Sequence, residues 1–167
     1  MKKILIIEDD ESVRKELEEL LSNASYEVLI LESYTNMLED ILSMYPDLIL
    51  LDINIPYMNG ETLLKNLRKV SDIPVIMVTS KNTEIDEVLS MSYGADDYII
   101  KPYNPTILLL RIGAVLKRGE KNIADVILYH DLSIEIKKGI AKKGSEEIIL
   151  TKNEMIIFLY LYERMGS

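Results

Sequence analysis

The chain has 167 residues, 48% of them hydrophobic, which fits one domain or one domain and part of another with a folded core. It contains no cysteine and no apolar run of membrane-spanning length, which excludes disulfides, thiolate metal sites and a membrane span and fits a cytoplasmic protein. The net charge is −9, and residues 1–119 hold 12 basic against 20 acidic side chains, a balance of −8 that disfavours nucleic-acid binding by this part.

Five short apolar runs alternate with segments of helical periodicity. The runs are Ile4–Ile7, Val28–Leu31, Leu48–Leu51, Val75–Val78 and Tyr98–Ile100. They are continuous rather than alternating, which indicates strands buried on both faces. Repeated strand–helix alternation predicts an α/β fold with a doubly wound, five-stranded parallel sheet.

Each of the five predicted helices has a start or stop signal. These signals are Ser12 as the first N-cap, Ser33 or Thr35 before a helix ending near Tyr45, Gly60 before the third helix, Asn82 and Gly94 around the fourth, and Pro105 at the start of the fifth. Asp10 and Glu11 are expected at the positive end of the first helix dipole.

A different pattern follows Arg118. We divide the chain into residues 1–119, a polar linker at 120–125, and a second unit at 126–167. Short runs separated by Lys-Lys-Gly turns predict antiparallel strands, and Thr151 with Glu154 forms a capping box before a last helix. A few strands and one helix make a thin core, so this unit is expected to be incomplete.

Polar side chains follow all five predicted strands. Glu32 and Ser33 follow the second, which lies at the sheet edge if the strand order is 2-1-3-4-5. The others are Glu8 and Asp9 after the first, Asp52 after the third, Thr79 after the fourth and Lys101 after the fifth. Because such sheets bind ligands at the carboxyl ends of their strands, these groups are expected to converge. Oxygen ligands suit Mg²⁺, a carboxylate can accept a phosphoryl group, and a lysine and a hydroxyl can stabilise its oxygens. Asp52 stands alone after the most hydrophobic strand and is the favoured nucleophile.

Four segments together resemble the receiver domain of two-component response regulators. They are IIEDDESVRKEL, LILLDINIPYMNG, IPVIMVTS and GADDYIIKPYNP, and the likeness spans residues 1–119. The stretch HDLSIEIKKGIAKKGSEEIILTKNEMIIFLYLYERMG is similar to the start of the winged-helix effector domain of the OmpR/PhoB subfamily. The resemblance implies a flavodoxin-like sheet of strand order 2-1-3-4-5. It also places the recognition helix and wing after Ser167, so DNA binding is expected only where that part is present.

The resemblance also implies roles for individual residues. Asp52 would be the phosphoacceptor and a ligand of Mg²⁺ with Glu8 and Asp9, and a sensor histidine kinase would donate the phosphoryl group. The remaining roles are the Asn54 backbone carbonyl as metal ligand, Thr79 and Lys101 as phosphate-binding groups, Tyr98 as aromatic switch, and a cis peptide bond between Lys101 and Pro102. Such a protein is a regulator rather than a turnover enzyme.

The resemblance further implies a homodimer through the fourth helix, fifth strand and fifth helix. The matching charged residues are Asp96, Asp97, Arg111, Lys117 and Arg118. Two positions depart from the family pattern, because Glu87 replaces a basic residue and Ile107 an acidic one. We therefore expect one ion pair to be missing, which costs little because surface pairs are individually weak.

Two other functions fit part of the pattern. An aspartyl-nucleophile phosphohydrolase would need a second aspartate two residues after the first, where this chain has Asn54. A flavodoxin-like cofactor binder would need a phosphate-binding loop after the first strand, where Glu8 to Glu11 are four acids that repel phosphate. The single histidine, His130, is expected to be a surface turn residue.

Overall fold

The structure is a computed structural model that describes residues 1–123, 126–136 and 138–165, with only the backbone at 120–123, 163 and 165. The chain divides into two compact units, Met1–Lys117 and Arg118–Ser167. Positions 124 and 125 of the predicted linker, and the last two residues, lie outside the described residues. In the described part, no helix has both the length and the apolar character needed to cross a bilayer.

The first unit alternates strand and helix five times. Its strands are β1 (Lys3–Ile7), β2 (Glu27–Ile30), β3 (Leu48–Leu51), β4 (Val75–Thr79) and β5 (Asp97–Ile100). Its helices are α1 (Glu11–Asn23), α2 (Met37–Met44), α3 (Gly60–Arg68), α4 (Glu84–Ser92) and α5 (Pro105–Ile123), the last of which continues past this unit into the predicted linker. All neighbouring strands are parallel, in the order β2-β1-β3-β4-β5, which confirms the predicted fold and strand order.

Both faces of this sheet are covered by apolar layers. Successive side chains of a strand point to opposite faces, so Ile49 and Leu51 join one core cluster while Leu48 and Leu50 join the other. All four β3 side chains are buried, as are all five of β4. The predicted continuous apolar runs therefore reflect burial on both faces of the sheet, and the central strands lie in the interior of the unit.

Three predicted helix starts are wrong by a few residues. Asp10, not Ser12, caps α1, because its carboxylate accepts hydrogen bonds from the N–H groups of Ser12 and Val13. Helix α2 begins at Met37, whose preceding residue makes no side-chain cap bond. Thr83, not Asn82, caps α4 through its hydroxyl. An N-cap needs a polar oxygen one position before the first turn, and clusters of Ser, Thr, Asp and Asn offer several such oxygens.

Arg68 joins three segments of the first unit. Its guanidinium donates from Nε to the Gly94 carbonyl at 2.8 Å and from Nη1 to the Ile73 carbonyl at 2.7 Å. Its Nη2 pairs with Asp96 at 3.0 Å, and the same carboxylate oxygen accepts from the Val75 N–H at 2.9 Å. Asp96, expected on the dimer face, therefore also makes contacts within the unit. These contacts hold the start of β4 next to the start of β5.

The second unit is an antiparallel sheet and a helix. Its strands β6 (Val126–Tyr129), β7 (Leu132–Glu135), β8 (Ile140–Lys143) and β9 (Glu146–Ile149) pair in sequence order, and α6 spans Lys152–Met165. The predicted capping box is present, since Thr151 and Glu154 exchange N–H to side-chain hydrogen bonds. His130 lies in the β6–β7 turn with φ 54°, as expected for a turn residue. Of its described apolar residues, only two are buried, Ile134 and Met155, which makes a thin core.

We predict that Gly113→Ala stabilises the protein. Gly113 lies inside α5, and a Cβ built there would meet no atom within 4 Å. Alanine in a helix interior is favoured over glycine by about 1 kcal/mol, so the free energy of unfolding in urea should rise by about that amount. Gly60→Ala is the contrasting variant, because its Cβ would overlap the Asp52 carbonyl oxygen and should destabilise the chain. Equal effects of the two substitutions would contradict this assignment.

Candidate functional site

The parallel register brings the ends of four strands to one edge of the first sheet. Ile7 of β1 pairs with Leu51 of β3, so the residues that follow them, Glu8 and Asp52, lie side by side. Thr79 is the last residue of β4 and pairs with Ile100, which precedes Lys101. The sheet thus gathers two carboxylates, a hydroxyl and an ammonium group that are far apart in sequence.

Lys101 connects the two carboxylates directly. Its Nζ forms ion pairs with Oε2 of Glu8 and with Oδ2 of Asp52, the latter at 2.9 Å. Glu8 is only 4% exposed and Asp52 only 7%. Two buried carboxylates therefore share one ammonium group, and negative charge is left in excess at this edge.

Burial and pairing act in opposite directions on these groups. Burial raises the pKa of Glu8, and the hydrogen bonds from Lys101 and from the Asp10 N–H offset this only in part. Burial by itself would lower the pKa of Lys101, but the bonds to Glu8 and Asp52 outweigh it and leave the pKa raised. Lys101 is therefore held in its charged form by the two carboxylates.

The other expected site residues surround this trio. Asp9 is exposed, and its carboxylate accepts no hydrogen bond from the described residues. The Asn54 backbone N–H donates to Asp52 Oδ1 at 3.2 Å, and Thr79 is completely buried. The peptide bond between Lys101 and Pro102 is cis, as the resemblance implies.

The edge fits a divalent cation by charge and by ligand type. Glu8, Asp9 and Asp52 offer only oxygen ligands, which Mg²⁺ prefers, and Lys101 pairs with two of these three carboxylates, Glu8 and Asp52. Among the described residues no three acidic or histidine side chains are already gathered as a metal site, because Lys101 bonds two of the carboxylates and Asp9 is exposed. These residues suit Mg²⁺ chemically, but their side chains are not arranged around a metal.

Tyr98, a residue of β5, is bonded to the loop that follows β4. It is 4% exposed, and its hydroxyl donates to the Lys81 backbone carbonyl at 2.8 Å. Burial, with a smaller effect from nearby acids such as Asp86, raises the pKa of Tyr98 to about 12. Lys81 in turn donates its N–H to Thr79 Oγ1 at 3.4 Å, so Thr79, Lys81 and Tyr98 form a connected series.

Two residues at this edge were not expected from the sequence. Arg14 of α1 donates from Nη1 to the Glu8 carbonyl at 3.2 Å. Tyr34, in the loop after β2, has a buried hydroxyl with no hydrogen-bond partner in the described residues. Arg14 comes four residues after the cap Asp10, and that helical spacing could have indicated it. Tyr34 follows an edge strand, and no spacing in the sequence indicates it.

Comparison with known proteins identifies the same part of the chain. The response regulator receiver domain model matches residues 4–113. The transcriptional regulatory protein AfsQ1 of Streptomyces coelicolor is 34% identical over 167 residues, which are 100% of this chain and 74% of AfsQ1. The response regulator protein GraR of Staphylococcus aureus is 30% identical over 98% of this chain and 75% of its own length. The BeF3-activated N-terminal receiver domain of Klebsiella pneumoniae RstA has a TM-score of 0.67 and 34% identity over 70% of this chain and 99% of that chain.

We predict that Tyr98 contributes to the alkaline loss of stability. Folding raises the pKa of Tyr98 to about 12. The contribution of Tyr98 to the free energy of unfolding is therefore complete below about pH 10 and is lost as the pH rises to about 12. The free energy of unfolding of the wild type should therefore fall by roughly 2–3 kcal/mol more than that of Tyr98→Phe over this range. Urea unfolding at several pH values measures the difference. Tyr45→Phe, at an exposed ring, is the control for removing a hydroxyl, and parallel curves for wild type and Tyr98→Phe would contradict the prediction.

Proposed function

This chain belongs to the family of response regulator receiver domains, and from that premise we propose that it is a switch in which Asp52 accepts a phosphoryl group from a sensor histidine kinase. The observation that carries the proposal is the pairing of Lys101 with the two buried carboxylates of Glu8 and Asp52. A nucleophilic carboxylate and a group that stabilises phosphoryl oxygens thus lie in contact at the edge where such sheets bind ligands.

The proposed transfer follows from the residue chemistry. An Oδ atom of Asp52 attacks phosphorus, an O–P bond forms, and the N–P bond of the donor phosphohistidine breaks. Lys101 neutralises charge on the transferring oxygens, and the hydroxyl of Thr79 donates a hydrogen bond to one of them. Two observations disfavour the phosphohydrolase alternative. Asn54 stands where such an enzyme would need a second carboxylate. The homologues AfsQ1 and GraR are regulators.

Four groups of this chain would hold Mg²⁺. They are the carboxylates of Glu8, Asp9 and Asp52 and the backbone carbonyl of Asn54. When bound, Mg²⁺ neutralises the crowded carboxylates and the charge of the phosphoryl group. The negative excess around Lys101 supports this assignment, because it is the condition in which a divalent cation binds best.

We propose that the α4–β5–α5 surface is where the switch acts. Its exposed apolar side chains include Ile85, Val88, Ile107 and Leu110. Helix α4 carries Glu84, Asp86 and Glu87 in its first turn, and the proposed dimer contacts add Asp96, Asp97, Arg111, Lys117 and Arg118. A two-fold axis would place the acidic helix of one protomer against the basic helix of its partner, and Ile107 would contribute an apolar contact where an ion pair is missing.

The second unit is proposed to be the N-terminal part of a winged-helix DNA-binding domain. Its four-stranded antiparallel sheet followed by one helix agrees with the start of such a domain. AfsQ1 is a transcriptional regulatory protein, and the match covers 74% of it. We propose that the intact protein regulates transcription in the cytoplasm, and that sequence-specific DNA binding requires a recognition helix in addition to this sheet and helix.

We predict that acetyl phosphate and Mg²⁺ together give one phosphoryl adduct on the wild type, measured by intact mass. Asp52→Asn should give none, because the amide is not a nucleophile. Asp10→Asn is the matched control, since asparagine also caps a helix and should keep the adduct. Absence of an adduct on the wild type, or its survival in Asp52→Asn, would rule out the proposed function.

We predict that Ile107→Asp weakens phosphorylation-dependent dimerisation at least tenfold, because it places a charge in the apolar part of the α4–β5–α5 surface near Glu87. Light scattering with and without acetyl phosphate measures the dimer fraction. Val70→Asp introduces the same charge at an exposed apolar residue after α3, outside this surface, and should leave the fraction unchanged. Equal dimer fractions in the two variants would place the interface elsewhere.

A further inference from the structure

Tyr34 has the one buried side-chain polar atom without a hydrogen-bond partner in the described part of the chain. Its ring packs against the core cluster that contains Leu5, Ile7 and Met37. A phenylalanine would fill that space as well, and it would leave no buried hydroxyl unsatisfied. Since such a group typically destabilises a fold, its presence calls for an explanation outside the packing of the core.

Tyr34 follows β2, which pairs in parallel with β1, so its loop lies at the carboxyl edge of the sheet beside the loop that carries Glu8 and Asp9. Asp9 and Glu8 act on the Tyr34 hydroxyl from the loop after β1, and Arg14 from α1. Arg14 donates to the Glu8 carbonyl, and its guanidinium carries donors only, so it offers no acceptor for the Tyr34 O–H. The charges of two proposed metal ligands, Glu8 and Asp9, therefore act on the Tyr34 hydroxyl.

Only one of the neighbouring carboxylates lacks a donor among the described residues. Glu8 accepts from Lys101 and from the Asp10 N–H, and Asp52 accepts from Lys101 and from the Asn54 N–H. Asp9 accepts no hydrogen bond from that part of the chain. A donor without an acceptor and an acceptor without a donor thus occur on adjacent loops of the same edge.

We propose that Tyr34 is a positioning residue for Asp9: its O–H donates to the Asp9 carboxylate, directly or through a metal-bound water, when Mg²⁺ is bound. This inference rests on the proposed function. A hydrogen bond to one carboxylate oxygen fixes the orientation of the group and leaves the other oxygen free for the metal. The Tyr34 O–H then has an acceptor and Asp9 has a donor, which accounts for both groups.

The test is the magnesium affinity of Tyr34→Phe, measured on the full chain by calorimetric titration with MgCl₂. The dissociation constant should rise about tenfold, as is typical when a group that orients a metal ligand is removed. The free energy of unfolding without Mg²⁺ should stay equal or increase, because an unsatisfied buried hydroxyl has been removed. Addition of Mg²⁺ should perturb the tyrosine absorption of the wild type, and Tyr34→Phe should lose that difference spectrum.

Tyr26→Phe is the matched control. Tyr26 is a partly buried tyrosine beside the start of β2, at the opposite edge of the sheet, and its substitution should leave the magnesium affinity unchanged. At saturating Mg²⁺, Tyr34→Phe should still form the acetyl phosphate adduct, since Asp52 and Lys101 are intact.

Three outcomes would overturn the inference. An unchanged dissociation constant in Tyr34→Phe would show that the hydroxyl does not serve the metal site. A lower stability without Mg²⁺ at equal affinity would show that the hydroxyl has a structural role only. Failure of the wild type to bind Mg²⁺ at all would overturn the proposed function together with this inference, and that result is read from the wild type alone.

Discussion

The first unit depends on how two buried carboxylates are held next to each other. Glu8 and Asp52 follow neighbouring strands in fixed register, so the sheet leaves them no freedom to move apart. Buried like charges repel strongly unless a cation lies between them, and Lys101 supplies it from the end of β5. One positive charge does not balance two negative ones, and the exposed Asp9 adds a third. The same constraint that leaves negative charge in excess at this edge supports the proposed binding of Mg²⁺ there.

Helix α4 is attached to this frame mostly by polar contacts. Ser90 is its one buried residue and donates to Glu61 of α3 at 3.1 Å. At its end, Tyr93 lies under the ammonium group of Lys65 at 3.7 Å, and Arg68 bonds the Gly94 carbonyl. Its apolar side chains, such as Val88, face solvent instead of the core. An element held by a few hydrogen bonds can shift at lower cost than one packed into a core, which suits the proposed role of this helix in switching.

The sequence predicts the parts of this structure that depend on local pattern. Apolar runs locate every strand of the first sheet, since strands buried on both faces must be continuously apolar. Helix caps are harder to predict because Asp10 and Ser12 have almost equal capping strength, and the final choice depends on the path of the loop. Arg14 and Tyr34 reach the site from a helix face and from an edge strand. The spacing of Arg14 from Asp10 could have indicated Arg14, but only the parallel pairing of β1 and β2 places the loop of Tyr34 beside the loop of Glu8 and Asp9, so no linear motif could reveal Tyr34.

A single residue, Lys81, connects the site with the proposed dimer surface through the two peptide groups on either side of its Cα. The N–H of Lys81 donates to the Thr79 hydroxyl oxygen, and the carbonyl of Lys81 accepts from the hydroxyl of Tyr98. In the proposed switch, a Thr79 hydroxyl that turns to donate to a phosphoryl oxygen changes its geometry toward the Lys81 N–H. We expect the carbonyl of the same residue to move as well, and with it the hydrogen bond that it accepts from the Tyr98 hydroxyl. Because both hydrogen bonds are made by the backbone of one residue, Lys81 is the shortest hydrogen-bonded connection between Thr79 and Tyr98 in the described residues.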